Sequence, residues 1–195
     1  MDYNEFLRKS IEKNDKEVQE TIKLVRQEKV KALSNNSGLP KKFSNKTFGN
    51  YFASNNPHSF KRAKQLVNEF PNTKGLLLTG PVGTGKTHLA AAISNALLKD
   101  LYSVYFGNVT DILSFIKSTY STNSNISEEQ AINLMSEEVD LLVIDDLGKE
   151  NSTGHTLALL YQLINRVYEN EKPIIITTNF NSKELAGKLG ERGQA

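Results

Sequence analysis

One eight-residue pattern restricts what this chain can fold into. Gly80-Pro81-Val82-Gly83-Thr84-Gly85-Lys86-Thr87 matches the phosphate-loop pattern G-x-x-x-x-G-K-[S/T] at every fixed position. Such a loop needs a buried strand before it and the start of a helix after it. The apolar run at residues 75–79 and the helical spacing of Leu89, Ile93 and Leu97 supply both flanks. The pattern therefore predicts a strand, a phosphate-binding loop and a helix.

Each residue type in this loop has a chemical role. Glycines let backbone amides turn inward and approach phosphate oxygens closely. Lys86 supplies a compact cation for the β- and γ-phosphates of ATP, and Thr87 offers a hydroxyl to Mg²⁺. A plain glycine-rich turn between a strand and a helix is the alternative interpretation, which the flanking strand and helix patterns disfavour.

An acidic pair follows a second apolar run, Leu141-Leu142-Val143-Ile144-Asp145-Asp146. Two adjacent carboxylates at the end of an interior strand need a cationic partner, because their desolvation is costly. Mg²⁺ is that partner if Asp145 holds the ion through its water shell beside Thr87. Asp146 would then polarise the attacking water. An ordinary turn at residues 145–148 is the alternative.

A polar tip, Thr177-Thr178-Asn179, ends the last apolar run. Asn179 can donate a hydrogen bond to a γ-phosphate or hold a water molecule. Asn also caps turns routinely, so a purely structural role is the alternative.

The remaining pattern alternates helices with short apolar strands. Helical spacing covers residues 1–33, 57–70, 111–120 and 156–168 in addition to the helix that begins near Lys86, and residues 121–127 are expected to form a polar loop. Strand-like runs occur at residues 75–79, 104–106, 141–144 and 174–177. Continuously apolar strands are typical of a parallel sheet buried on both faces. The prediction is an α/β fold whose parallel sheet has helices on both faces.

The N-terminal part has a different organisation. Leu7, Ile11, Val18, Ile22 and Val25 form a narrow apolar stripe among charged residues, and turn-forming residues follow at 34–40. The expected division is a helical appendage with its linker at residues 1–38 and a core at residues 39–195. This helix could pack on the core, self-associate or dock on another protein.

Composition sets further expectations. The chain has no cysteine, which excludes disulfides and thiolate zinc sites, and its N-terminus is no secretory signal. A cytoplasmic location is the simple expectation for a chain without cysteine, and the apolar runs are too short to span a bilayer, so no membrane contact is expected. Five lysines between residues 29 and 46 without an acid (Lys29, Lys31, Lys41, Lys42, Lys46) indicate either a solvated linker or a surface for DNA phosphates.

Together these motifs resemble a family, the AAA+ ATPases of the DnaC and DnaI type, which load the replicative helicase. The related IstB-type ATPases that assist transposases look similar. The resemblance covers roughly residues 39–192 and includes His88, directly after the phosphate loop. It implies a P-loop NTPase of the AAA+ and ASCE class, with residues 80–87 as Walker A and His88 among the nucleotide-binding residues.

Further roles follow from the same resemblance. Asp145 and Asp146 would be Walker B, with Asp146 standing where many relatives carry Glu, and Asn179 would be the sensor residue. With Lys86, Asp146 and Asn179 form the expected catalytic set, whereas Thr87 and Asp145 bind Mg²⁺. Arg166 stands where similar proteins often carry Arg, for a subunit interface or a surface salt bridge.

The resemblance also raises an expectation about hydrolysis. In this family a fifth strand, a helical lid and an arginine finger follow the position of residues 189–192, and this chain ends at Ala195. Arg192 is a poor substitute for the finger. Since a finger supplies a factor of about 10³–10⁵ in rate, the expectation is ATP binding with slow hydrolysis by a core whose lid is truncated.

Partners and alternatives complete the expectations. The resemblance implies a replicative DNA helicase as partner, docked by the N-terminal segment, with single-stranded DNA and self-association left open. Bases could stack on aromatics near the second strand, although such residues are more often core (Tyr102, Tyr105, Phe106, Tyr120). Alternatives are a transposition-helper ATPase, a nucleotide-binding adaptor without turnover and a small-molecule kinase, the last disfavoured because only Arg166 and Arg192 follow residue 147.

Overall fold

The fold is given by a computed structural model that describes residues 3–119, 126–148, 154–181 and 183–184, with side chains from Val18 onward except Asn55. The regular elements run in the order α1 (Tyr3–Asn36), α2 (Pro57–Glu69), β1 (Gly75–Thr79), α3 (Lys86–Lys99), β2 (Val104–Asn108), α4 (Val109–Ser118), α5 (Glu128–Asn133), β3 (Leu141–Leu147), α6 (Gly154–Glu169) and β4 (Ile174–Thr178). Short 3-10 turns lie between α1 and α2, and one π-helical turn (Leu134–Glu138) follows α5.

The four strands form one parallel sheet in the order β1-β4-β3-β2. Parallel pairs join β1 to β4, β4 to β3 and β3 to β2. Because every strand runs the same way, all their carboxyl ends meet at one edge of the sheet. The phosphate loop and Asn179 therefore follow strands at this edge, and the acidic pair lies among the last three residues of β3 at the same edge.

Helices cover both faces of the sheet, as the strand pattern predicts. On one face α2 and α3 pack on the sheet around Ala63, Leu89, Ile93 and Leu97. On the other face α4, α5 and α6 bury a second cluster that includes Ile112, Ile116, Ile132, Leu160 and Leu163. This confirms the α/β architecture, and it leaves the carboxyl edge of the sheet as the place where polar side chains gather.

The strand β1 departs from its prediction. It was expected to be buried on both faces, yet among its residues only Leu78 is fully buried, and Leu77 is 45% exposed. Within the described residues β1 pairs with β4 alone and lies at the edge of the sheet. An edge strand keeps one side open to solvent, which explains the exposure.

Helix and strand bounds also shift at functional positions. The third strand was expected to end at residue 144, but β3 continues through Asp145 and Asp146 to Leu147. The acidic pair therefore lies inside the strand and not beyond it. Residues 121–125 of the expected polar loop lie outside the described residues, and Ser127 caps α5 through a capping box with Gln130. The sequence patterns missed α5 and the π-helical turn.

The lysine-bearing segment is anchored to the core. The Phe106 amide donates to the Ser37 carbonyl oxygen at 2.7 Å, beside the end of α1. Asn95 of α3 donates from Nδ2 to the carbonyl oxygens of Phe43 (2.9 Å) and Lys46 (2.8 Å). Residues 37–46 are thus fixed against α3 and β2, which corrects the interpretation of a solvated linker. The division at residue 38 stays a prediction.

Among the described residues, no helix combines the length and the hydropathy needed to cross a membrane.

Candidate functional site

The phosphate loop joins β1 to α3, and its conformation depends on glycine. Gly83 and Gly85 have φ of 85° and 87°, in the left-handed region that favours glycine. A Cβ at Gly85 would lie 2.7 Å from the ring of Tyr51, so a side chain there would also collide with that ring. The helix α3 begins at Lys86, directly after this turn. The expected strand, loop and helix are all present.

Lys86 turns its ammonium group back across the loop. Its Nζ donates to the carbonyl oxygens of Gly80 (2.7 Å) and Pro81 (2.8 Å) and to Oδ1 of Asn179 (3.0 Å). Asn179 follows β4 and is 93 residues away in sequence. Oxygen atoms thus surround the cation at the carboxyl edge of the sheet, where the γ-phosphate of a nucleotide would supply further oxygens.

The two aspartates have different surroundings. Asp145 is 9% exposed, and its Oδ1 accepts from the hydroxyl of Thr87 at 2.9 Å. Asp146 is more exposed, and its Oδ1 accepts from Nδ2 of Asn179 at 3.3 Å. Asn179 thus links Lys86 to Asp146, and Thr87 pairs with Asp145. The structure brings these five expected residues together.

A cavity of about 260 Å³ lies over this group and is lined by Val82, Gly83, Gly85, Lys86, Thr87, His88, Asp146, Thr177 and Asn179. A second cavity of about 320 Å³ reaches the same acids from the side of Lys42, Asn108 and Asp111. The described residues contain no cluster of three or more His, Asp or Glu side chains that could hold a metal. Mg²⁺ fits nonetheless, because it takes one or two carboxylates and completes its shell with waters and phosphate oxygens. Thr87 and Asp145 are the residues whose oxygens could hold it.

His88 is held by the segment before α2. Its Nε2 lies 3.1 Å from the Thr47 carbonyl oxygen and 3.0 Å from Oδ1 of Asn50. Both partners are acceptors, since the same Asn50 oxygen also accepts from the Thr47 amide, so Nε2 carries the proton and donates to them. The ring lines the cavity, but its described polar contacts are to residues 47–50. Direct binding of nucleotide by His88 stays a prediction.

Tyr51 was not anticipated from the sequence. Its ring stacks on Phe60 with centroids 5.7 Å apart and meets His88 edge-on at 5.3 Å. Its hydroxyl donates to the Thr84 carbonyl oxygen at 3.4 Å, and burial raises the pKa of Tyr51, which keeps the donor protonated. A lone tyrosine 29 residues before the loop carries no sequence signal for this contact.

Thr177 was noted only as part of the strand tip. It is 1% exposed, and its hydroxyl donates to Oδ1 of Asp145 at 2.6 Å while accepting from the Asp146 amide at 2.8 Å. A polar residue one step inside an apolar strand, opposite an acidic pair, is the sequence signal that could have identified it. Thr177 ties the two aspartates to β4.

Of the two arginines considered for a subunit interface or a finger, the structure describes only Arg166. Arg166 donates from Nη1 to Oδ1 of Asn133 and lies 4.0 Å from the carboxylates of Glu129 and Glu137. This arrangement agrees with the salt-bridge alternative and ties α6 to α5 and the π-helical turn. Arg192 lies outside the described residues.

The aromatic residues near β2 are mostly packed. Phe106 is 2% exposed and lies 6.1 Å from Phe43, and Tyr102 meets Phe70 edge-on at 4.6 Å. Burial and the nearby carboxylate of Asp111 raise the pKa of Tyr105. These contacts favour the core interpretation for the three residues, and Tyr120 lies outside the described part.

Comparison with known proteins agrees with this geometry. A family model described as IstB-like ATP binding protein matches residues 3–193. The replicative helicase loader DnaC of Escherichia coli (strain K12) is 38% identical over 167 residues, 84% of this chain and 67% of that protein. A protein of the same organism named uncharacterized protein YdaV is 31% identical over 185 residues, 93% of this chain and 73% of its own length.

Solved structures give the same fold. A crystal structure of the DnaC helicase loader matches with a TM-score of 0.68 at 27% identity, covering 78% of this chain and 91% of that one. AMPPCP-bound DnaA from Aquifex aeolicus matches with a TM-score of 0.61 at 24% identity, covering 76% and 48%. Because sequence, family model and fold agree, this chain belongs to the family of IstB-like ATP binding proteins, which have the P-loop fold of AAA+ proteins.

Proposed function

We propose that this chain binds ATP with Mg²⁺ and acts in DNA replication as a loader of the replicative helicase. One observation carries the nucleotide part: Lys86 and Thr87 line one cavity together with Asp146, and the Thr87 hydroxyl donates to Asp145, 58 residues later in the chain. The relative named replicative helicase loader DnaC, 38% identical, supports the role in replication.

Each residue of the site would contribute a defined interaction. Backbone amides of residues 83–87 and the N-terminus of α3 hold phosphate oxygens. Lys86 exchanges part of its contacts with Gly80 and Pro81 for phosphate oxygens. Thr87 and Asp145 hold Mg²⁺, which neutralises charge on the phosphates when bound. Asn179 keeps Lys86 and Asp146 within hydrogen-bonding distance of one side chain.

Hydrolysis would be slow. The family resemblance implies the longer Glu at the position of Asp146 in many relatives, so the Asp146 carboxylate would reach one methylene less far toward a water at the γ-phosphate. Its Oδ1 also accepts from Asn179. An adaptor that binds nucleotide without turnover is the limiting case, and release of inorganic phosphate from ATP distinguishes the two.

The helix α1 would dock on the helicase. Its face with Val18, Ile22 and Val25 is 54%, 55% and 60% exposed, and the spacing of four and three residues puts the three side chains on one side of the helix. Apolar side chains exposed in a row favour a protein partner. The residue division at 1–38 and 39–195 belongs to this proposal.

ATP binding is tested by calorimetry with wild type, Lys86→Ala and Lys99→Ala. Losing one or two charge-assisted hydrogen bonds costs about 2–4 kcal/mol, so Lys86→Ala should weaken ATP binding roughly 30- to 700-fold. Lys99 is exposed at the other end of α3 and serves as the matched control. Wild-type protein that gave neither binding heat nor a thermal shift with ATP and Mg²⁺ would remove the proposal.

The partner is tested by pull-down with a purified replicative helicase. Val18→Ser/Ile22→Ser/Val25→Ser should abolish retention of the helicase. Lys86→Ala leaves α1 unchanged and should still retain the helicase. The transposition-helper alternative rests on the IstB-like family model. Retention of a transposase on double-stranded DNA, without retention of helicase, would establish that alternative.

A further inference from the structure

The acidic pair lies on a distorted part of β3. The pairing of β3 with β4 is regular up to Ile144 and shifts register before Leu147. Within this bulge Asp146 has φ of 62°, a left-handed conformation that is unfavourable for a non-glycine residue. A strained residue beside a functional site persists only when neighbouring groups hold it.

The hydroxyl of Thr177 is placed to hold it. It makes two hydrogen bonds, one donated to Oδ1 of Asp145 (2.6 Å) and one accepted from the amide of Asp146 (2.8 Å). A hydroxyl has one proton and two lone pairs, so it can serve both aspartates at once. One buried side chain thus fixes the position of the Asp145 carboxylate and of the Asp146 backbone amide.

The position of Asp145 follows from these contacts. Its Oδ1 accepts from both Thr177 and Thr87, at 2.6 and 2.9 Å. With two hydroxyls on one oxygen, the carboxylate cannot rotate without breaking both hydrogen bonds. Its Oδ2 keeps lone pairs for a cation or for the waters around one.

We propose that Thr177 is a positioning residue of the ATP–Mg²⁺ site. It aligns Asp145 with Thr87 and holds Asp146 in the left-handed turn, so Thr177 sets the part of nucleotide affinity that depends on Mg²⁺. This inference rests on the proposed function and assigns to a threonine of β4 a role that the phosphate loop and the aspartates do not account for by themselves.

The neighbouring threonine gives a matched control. Thr178 is completely buried, and its hydroxyl donates to the Leu147 carbonyl oxygen at 2.8 Å and accepts from the Phe180 amide at 3.2 Å. It has the same chemistry and the same two-bond pattern, but its described bonds reach neither carboxylate. A purely structural role of a buried threonine should therefore affect both positions alike.

The experiment measures the Kd for ATP with Mg²⁺ and with EDTA for wild type, Thr177→Val, Thr177→Ser and Thr178→Val. Thr177→Val should weaken binding with Mg²⁺ roughly 10- to 100-fold and leave binding in EDTA within about threefold. Thr177→Ser should restore the Mg²⁺ dependence, and Thr178→Val should retain it despite a lower melting temperature. Thr177→Ala replaces the valine variant if that variant does not fold.

A ligand-free measurement accompanies the titrations. Hydrogen exchange of the Asp146 amide should be faster in Thr177→Val, which lacks the acceptor, and unchanged in Thr177→Ser and Thr178→Val. This inference alone would be overturned if ATP binding by Thr177→Val depended on Mg²⁺ as it does in wild type. It would also be overturned if Thr178→Val lost as much affinity for ATP with Mg²⁺ as Thr177→Val. Wild-type protein without any ATP binding would overturn the proposed function as well.

Discussion

Single residues of the site already make hydrogen bonds that hold them where a nucleotide would bind. Lys86 contacts two carbonyl oxygens of its own loop, and Asn179 bridges Lys86 to Asp146. The loop is therefore already bent around a cation, and nucleotide binding needs an exchange of oxygens more than a refolding of the loop. Preorganisation of this kind lowers the ordering cost of binding.

Asp146 allows a test that separates hydrolysis from binding. Asp146→Asn keeps the side-chain shape, and Asn tolerates the left-handed φ of 62° that the backbone requires. We expect ATP affinity within about threefold of wild type, because the carboxylate of Asp145 is retained. Phosphate release should fall roughly 100-fold if Asp146 acts as the base.

Asp111→Asn is the control, because Asp111 follows the neighbouring strand β2 and lines only the second cavity. Its phosphate release should equal that of wild type. Unchanged hydrolysis by Asp146→Asn would show that Asp146 is no base in this chain.

Among the elements, the segment of residues 47–51 before α2 packs against the phosphate loop and the start of α3, and it is called the brace below. Tyr51 packs on Gly85, and His88 of α3 donates to Thr47 and Asn50 of the segment. The capping box of Thr47 and Asn50 holds the acceptor oxygens in place. Residues far from the loop in sequence thus limit how far the loop can open.

His88 provides a test of this brace. His88→Phe keeps an aromatic ring against Tyr51 but removes the Nε2 donor, which should cost about 1–2 kcal/mol and roughly 2–8 °C in melting temperature. His88→Gln places an amide donor at a similar reach and should recover most of the loss. Equal melting temperatures for wild type and His88→Phe in a thermal melt would contradict the brace.

The turn after β3 is closed by an aromatic ring. Gly148 has φ of 99°, and a Cβ there would lie 2.3 Å from the ring of Phe180, which follows Asn179. Gly148→Ala should therefore displace Phe180 and destabilise the protein by about 1–3 kcal/mol in denaturant unfolding. Gly154→Ala, where a Cβ meets nothing within 4 Å, should change stability little. A Gly148→Ala variant as stable as wild type would show that the Phe180 ring moves away from the new methyl group without a cost in stability.

For the whole molecule, charge distribution is the property to test against nucleic acid. Lys41 and Lys42 are exposed on the anchored segment, and the Lys42 ammonium lies 4.8 Å from the centre of the Phe43 ring. A fixed array of cations loses less entropy on binding phosphates than a flexible linker. DNA binding through this surface would be strongly dependent on salt.

Lys41→Ala/Lys42→Ala/Lys46→Ala should weaken binding of single-stranded DNA and lower the slope of log K against log salt by about 2, since each phosphate contact contributes about 0.7. Fluorescence anisotropy at several salt concentrations measures both quantities. The triple variant Lys61→Ala/Lys74→Ala/Lys99→Ala removes equal charge elsewhere and is the control. Binding unaffected by the first triple change would exclude this surface.

Much of the site could be predicted because its signals are local. The phosphate loop needs glycines, Lys86 and Thr87 at fixed spacing, and that spacing is visible in eight residues. Parallel strands align their carboxyl ends, so the strand pattern predicts Asp145, Asp146 and Asn179 at one edge of the sheet. The α/β alternation followed from apolar runs for the same reason, since burial on two faces leaves a continuous pattern.

Contacts between distant residues decided the rest. Three features each join segments about 30 or more residues apart: the position of β1 at the sheet edge, the contacts of His88 with residues 47–50 and the two hydrogen bonds of the Thr177 hydroxyl. No periodicity or motif encodes such a pairing, because the partner is chosen by packing and not by spacing along the chain. Sequence therefore identified the groups that would contact a nucleotide, and folding determined the residues that hold those groups in place.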